Sequence, residues 1–193
     1  MTDSLTDTTT GTTTGTAAGT AAGTAAGGST ATAAPPEARA GTDADTAPGL
    51  VLLDATAAAA ALRAAGDAAR GFLDTDPVTQ NDPLLARTLT GAEAQVFRSG
   101  DALVGWAPNP RQPRQAYVAA TSPDPAPLRA LLEFLAAYQR CTSCLALVPD
   151  GSPMAAAVAA CGFTATGVLR DHRFQGGAHR DVLVHFRKAE NPC

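Results

Sequence analysis

Aromatic residues are scarce. Trp, Tyr and Phe together make up 5% of the 193 residues, so few large rings are available to fill a core. Lysine is scarcer still: Lys188 is the single one, and arginine carries the rest of the positive charge. Lys and Arg total 14 against 18 Asp and Glu, a net charge of -4. That balance lacks the basic footprint of a nucleic-acid or anionic-membrane partner. No apolar run approaches the ~20 residues that cross a bilayer, which excludes a membrane-spanning helix. The N-terminus has neither a basic start nor an apolar core, so it does not read as a secretory signal, and a cytoplasmic protein is expected. Four cysteines are present, and Cys141-Thr-Ser-Cys144 has Cys-x-x-Cys spacing. No second pair and no nearby histidine completes a zinc site, so structural thiols are expected, with no metal and no disulfide framework.

Residues 1–48 lack large apolar residues between Leu5 and Leu50. They are Thr, Ala and Gly with scattered acids, and Gly-Thr-Ala-Ala occurs three times in a row from Gly15 to Ala26. Such a stretch cannot bury enough surface to offset the entropy of ordering, and a disordered tail is expected. Residues 189–193 are read as a short C-terminal tail.

Between them, residues 49–188 carry patterned apolar residues. Leu50 to Leu53 reads as a short buried strand. Asp54 can cap a helix running to about Leu73, weakened by Gly66 and Gly71. Asp82-Pro83 starts a second helix with Leu84, Leu85 and Leu89. Ala94 to Arg98 and Leu103 to Trp106 read as a hairpin around Ser99-Gly100-Asp101. The proline-rich loop from Pro108 to Pro113 precedes a strand from Gln115 to Thr121. Leu128, Leu131, Leu132, Leu135 and Tyr138 recur at helical spacing within about Asp124 to Arg140. Cys144 to Val148 reads as a strand. Ser152-Pro153 starts a helix of alanines that Gly162 ends, and Gly176-Gly177 turns a closing hairpin. The order is β-α-α-β-β-β-α-β-α-β-β, an α/β (α+β) domain.

The closing run holds Gly162-Phe163, then Gly167 with Leu169-Arg170, then Gly177 and Asp181 before an apolar strand. It resembles the C-terminal half of the GNAT superfamily of N-acetyltransferases, of the ribosomal-protein-acetylating type. The resemblance implies a mixed, twisted sheet that splays between its fourth and fifth strands, with acetyl-CoA or another acyl-CoA in the opening. It implies that Val118, Ala119, Ala120 and Thr121 offer backbone to the pantetheine arm, opposite Leu145 to Val148. It further implies an amine acceptor, either a small molecule or a protein N-terminus, and allows a homodimer.

In that family a Gln/Arg-x-x-Gly-x-Gly/Ala loop at a helix start binds the pyrophosphate through free N–H groups and the helix dipole. Here Pro123 takes the first position, and Ala126 and Leu128 take the glycine positions. With Asp124 as N-cap, Pro125 and Pro127 remove two of the four free donors. Arg111, Arg114 and Arg129 are left as candidate phosphate ligands. The family's proton-donating tyrosine, four residues before Gly-Phe, is Val158 here. A fourth-strand glutamate is absent. By resemblance, His172 borders the substrate side and is the candidate base, histidine being a side chain suited to that role. Asp181 is read as a hydrogen-bonding residue. The expected function is N-acyl transfer from coenzyme A to an amine. The altered loop keeps open a non-catalytic binding module, or transfer of an acyl group held on a carrier protein.

Overall fold

The seven strands form a single sheet in the order β1-β2-β3-β4-β5-β7-β6. The computed structural model describes residues 49–189; the expected tail 1–48 and residues 190–193 lie outside the described residues. The strands are β1 (Val51–Leu53), β2 (Gln95–Ser99), β3 (Ala102–Asn109), β4 (Gln112–Ala120), β5 (Ser143–Pro149), β6 (Thr164–Gln175) and β7 (Ala178–Lys188). The helices are α1 (Ala55–Ala65), α2 (Asp82–Gly91), α3 (Pro125–Ala137) and α4 (Met154–Ala160). All neighbours pair antiparallel except β4 and β5, which run parallel. This is the mixed α/β order that the sequence predicts.

Two layers of helix cover the sheet. Successive strand residues point to opposite faces. Phe97 on β2 meets Phe134 of α3 edge-on, ring centroids 5.4 Å apart. Gly105, whose partner Val96 precedes Phe97, lies under Phe72; an added Cβ there would stand 2.8 Å from the Phe72 ring. α3 therefore covers one face, and the chain around Phe72 covers the other. Leu62, Leu85 and Leu89 of α1 and α2 are fully buried, as are Leu128, Leu131 and Leu135 of α3.

Several boundaries follow local chemistry. Asp54 accepts from the Ala57 N–H at 2.8 Å and caps α1. The helix ends at Gly66 rather than Leu73, because Gly66 adopts φ 57°, and the chain continues as short 3-10 segments, Gly66–Ala69 and Phe72–Asp74. α2 begins at Asp82 as expected, and Asn81 caps it, accepting the Leu84 N–H at 2.9 Å. β1 is an edge strand, with Val51 61% exposed, rather than a buried one. The prolines do not hold β3 and β4 apart. Pro108 pairs with Ala116, and a bulge at Pro108/Asn109 absorbs the irregularity before Asn109 pairs with Gln112. Tyr138, expected on the buried face of α3, is 76% exposed and rests against Phe134. α4 stops as its sequence predicts but begins at Met154, one residue later than expected, with Pro153 in helical φ/ψ at the cap position. Ser152 Oγ accepts from Met154 N–H. Gly162 takes φ 77°, and the Phe163 N–H returns to the Val158 carbonyl at 3.2 Å, the bond that closes a Schellman end. Gly176 and Gly177 both have positive φ, as a two-residue type I′ hairpin requires.

Candidate active site

The parallel pair β4/β5 is joined over a short length. Gln115, Ala116 and Tyr117 pair with Ser143, Cys144 and Leu145, and the pairing stops there. The joined end is stapled by side chains: Gln115 donates to Ser143 Oγ at 3.1 Å, and Thr142 N–H donates to the Arg114 carbonyl at 2.7 Å. Beyond Tyr117 the strands diverge. Val118, Ala119 and Ala120 keep their pairing with β3 but have none with β5.

A cavity of about 590 Å³ opens at this split. Tyr117 and Val118 line it from β4 and Leu147 from β5. Leu73 and Asp74 line it from the 3-10 segment, Glu93 from the end of α2, and Asn109 and Arg111 from the β3/β4 turn. Tyr117 and Leu147 share the face covered by Phe72. Three cavity residues, Leu73, Asp74 and Glu93, have positive φ without being glycine, a conformation that costs about 1–2 kcal/mol per residue and persists only where surrounding contacts hold it. One such hold is visible. Arg173 of β6 reaches across to Asp74 Oδ1 at 2.6 Å and to the Thr75 carbonyl at 3.0 Å. Thr75 is buried and bonds back to the Phe72 carbonyl through its own hydroxyl. Asp74 thereby has a cationic partner. The Glu93 carboxylate and the Arg111 guanidinium have no hydrogen-bond or ion-pair partner among the described residues.

The helix end that should meet a pyrophosphate is closed. Asp124 caps α3, accepting the Ala126 N–H at 3.0 Å, and its own N–H is donated to Ser122 Oγ at 3.1 Å. Pro125 and Pro127 have no N–H to offer. Leu128 is fully buried in the core, not in a loop a phosphate could approach. Arg129 turns its Nη2 to the Ala160 carbonyl at 3.5 Å. Arg111 and Arg114 sit at the hairpin end of β4, where Arg114 Nε donates to the Arg140 carbonyl, so neither lies near the helix start. Thr121 is turned toward β3: its N–H donates to the Leu103 carbonyl and its hydroxyl accepts from Leu103 N–H, both at 2.9 Å.

The structure does not bring His172 to the cavity. It is exposed on the edge strand β6, in the irregular stretch between Leu169 and Arg173 where the register to β7 shifts. Val158, on the buried face of α4, is fully buried, so no side chain replaces a tyrosine there. Asp181 is structural: its Oδ1 accepts the Asp171 N–H at 2.9 Å across the hairpin. Trp106 is a core residue, hydrogen-bonded to Gln95. Cys141, Cys144 and Cys161 are free and buried. Burial pushes the Cys144 thiol up to about 12, with Cys141 adding to the rise and Arg187 opposing it. That thiol is inert as a nucleophile. Among the described residues no His, Cys, Asp and Glu cluster could hold a metal. Sequence reading passed over Glu93 and Asp74 because nothing in their local pattern places them at a strand split.

The strand order, the parallel β4/β5 pair and its opening are the fold of the GNAT acetyltransferases. Solved structures carry the same arrangement. The spermidine N-acetyltransferase SpeG of Vibrio cholerae in complex with CoA and spermine superposes with a TM-score of 0.55 at 15% identity, over 73% of this chain and 95% of that one. The same enzyme in complex with manganese ions gives 0.52 at 14%, over 73% and 92%. A probable acetyltransferase gives 0.50 at 14%, over 72% and 91%. No family model and no curated protein matches the chain. The likeness establishes the fold.

Proposed function

We propose that the chain is an N-acyltransferase that moves an acyl group from a coenzyme A-type thioester to an amine. The observation that carries this reading is the split between β4 and β5, with a cavity of about 590 Å³ at its mouth. Val118, Ala119 and Ala120 are the backbone stretch available to a pantetheine arm. A bound thioester would supply the electrophilic carbonyl carbon that the amine attacks as the C–S bond breaks. Tyr117 lines the cavity at the last paired position and is the hydroxyl suited to protonate the leaving sulfur. Glu93 is the free carboxylate suited to hold the amine and take its proton.

The cavity volume suits a small amine or the terminal residue of a protein. Its charge suits an amine of low charge better than the spermine bound by one of the neighbours, since Asp74 is already paired with Arg173 and Arg111 stands on the same rim. The test is thiol release from acetyl thioesters across a panel of amines. Turnover is expected, and Tyr117→Phe is expected to lower kcat by roughly 100-fold or more with little change in the KM for amine. No thiol release with any amine, or a Tyr117→Phe variant as active as the natural chain, would sink the reading. The buried Val158 and the closed start of α3 favour a second reading, a non-catalytic module of the same fold; ligand binding in the cavity without turnover would select it.

A further inference from the structure

We propose that Asp124 makes the donor site select an acyl thioester by its pantetheine arm and discriminate against the pyrophosphate of free coenzyme A. The proposal rests on reading the β4/β5 split as the acyl-donor site.

The first turn of a helix has four N–H groups without intrahelical partners. In α3 all four are accounted for. Asp124 N–H is donated to Ser122 Oγ and Ala126 N–H to Asp124 Oδ1. Pro125 and Pro127 have none. No donor is left for an anion, and a carboxylate occupies the place where the helix dipole would attract one. The arginines that the sequence offers as phosphate ligands are engaged or distant. Arg129 bonds the Ala160 carbonyl. Arg114 lies at the hairpin end of β4, six residues before the strand ends at Ala120, so its backbone stands roughly 20 Å from that end at ~3.3 Å per residue. The pantetheine end of the split has no such obstruction, because Val118 to Ala120 are unpaired toward β5. The site thus accommodates one half of coenzyme A and repels the other. The matching donor chemistry is an acyl-pantetheine thioester lacking the adenosine pyrophosphate, either free or attached to a carrier protein.

The test compares acetyl-pantetheine, acetyl-CoA and acetyl-pantetheine attached to a carrier protein as donors for the full chain. Acetyl-CoA is expected to hold less than a tenfold advantage in kcat/KM over acetyl-pantetheine, or none. The variant Asp124→Gly with Pro125→Gly and Pro127→Gly restores donors and removes the carboxylate. It should raise kcat/KM for acetyl-CoA at least tenfold, most at low salt where the repulsion is least screened, while leaving acetyl-pantetheine unchanged. Should the triple variant not fold, Asp124→Asn keeps an equally good cap without the charge and should shift the preference in the same direction. Carrier-bound donor turned over faster than free acetyl-pantetheine would identify a protein source; equal rates would identify a small thioester; both support the proposal. A natural preference for acetyl-CoA beyond tenfold, or a variant that improves both donors alike, overturns it and leaves acyl transfer standing. If no donor is turned over, calorimetric titration decides. Pantetheine bound at least as tightly as coenzyme A supports the selectivity without the reaction, and binding of neither overturns both.

Discussion

His185 has two ring nitrogens that are buried without a hydrogen-bond partner. It lies on β7 opposite Ala146, on the face away from the cavity, and burial pushes its imidazole below the ordinary value. The unfolded chain therefore holds the proton more tightly than the folded one. Stability is complete above the unfolded value of about 6.5 and falls as the pH drops below it, because protonation then favours the open chain. His185→Leu removes both the unpaired nitrogens and this titration. Thermal melts between pH 5 and 8 should show a higher Tm for the variant, by about 1 kcal/mol or more of stability, and a flatter acid limb. A variant with an unchanged acid limb would show that another group governs it. By contrast Cys144, also buried on that face, stays a neutral thiol throughout this range.

Arg173 acts on an element rather than at a point. Its two hydrogen bonds, to Asp74 Oδ1 and the Thr75 carbonyl, tie the edge strand β6 to the 3-10 segment that roofs the cavity. The segment contains Leu73 and Asp74 at positive φ, so it needs such ties to persist. Asp74 is largely exposed, which discounts the ion pair itself; the bond to the Thr75 carbonyl counts for more. Arg173→Ala should cost about 1 kcal/mol of stability. It should accelerate hydrogen exchange at residues 71–76 while leaving β3 and β4 protected, and raise the KM for amine more than it lowers kcat. Unchanged exchange at residues 71–76 would mean that the packing of Phe72 on Gly105 alone holds the roof. The closed start of α3 belongs to the same scale. On the proposal above, Asp124, Pro125 and Pro127 decide which half of a thioester donor the fold can grip.

At the scale of the whole molecule, the buried core runs from Ala58 to Val182, joined by Leu50 and Leu183 at its margins. Residues 1–48 contain only Leu5 as a large apolar residue beyond Met1. Deleting them should leave Tm unchanged, measured on the natural and shortened chains; a fall of several degrees would show that this stretch contributes packing. What the sequence by itself determined is local. Ser152-Pro153 and Gly162 bound α4, Gly176-Gly177 turn the last hairpin, and Asp124 with two prolines closes α3, because caps and turns depend on residues within one or two turns of each other. The leucine spacing of α3 was legible for the same reason. Only the tertiary structure decided the cavity. Its residues come from the 3-10 segment, the end of α2, the β3/β4 turn and both limbs of the split, and no local period links Asp74, Glu93, Tyr117 and Leu147. It likewise decided that His172 faces solvent and that Arg111 and Arg114 stand at the wrong end of β4. Which end of a strand meets a helix start is a property of sheet order and register, and register is set by pairing with distant chain, not by neighbours in sequence.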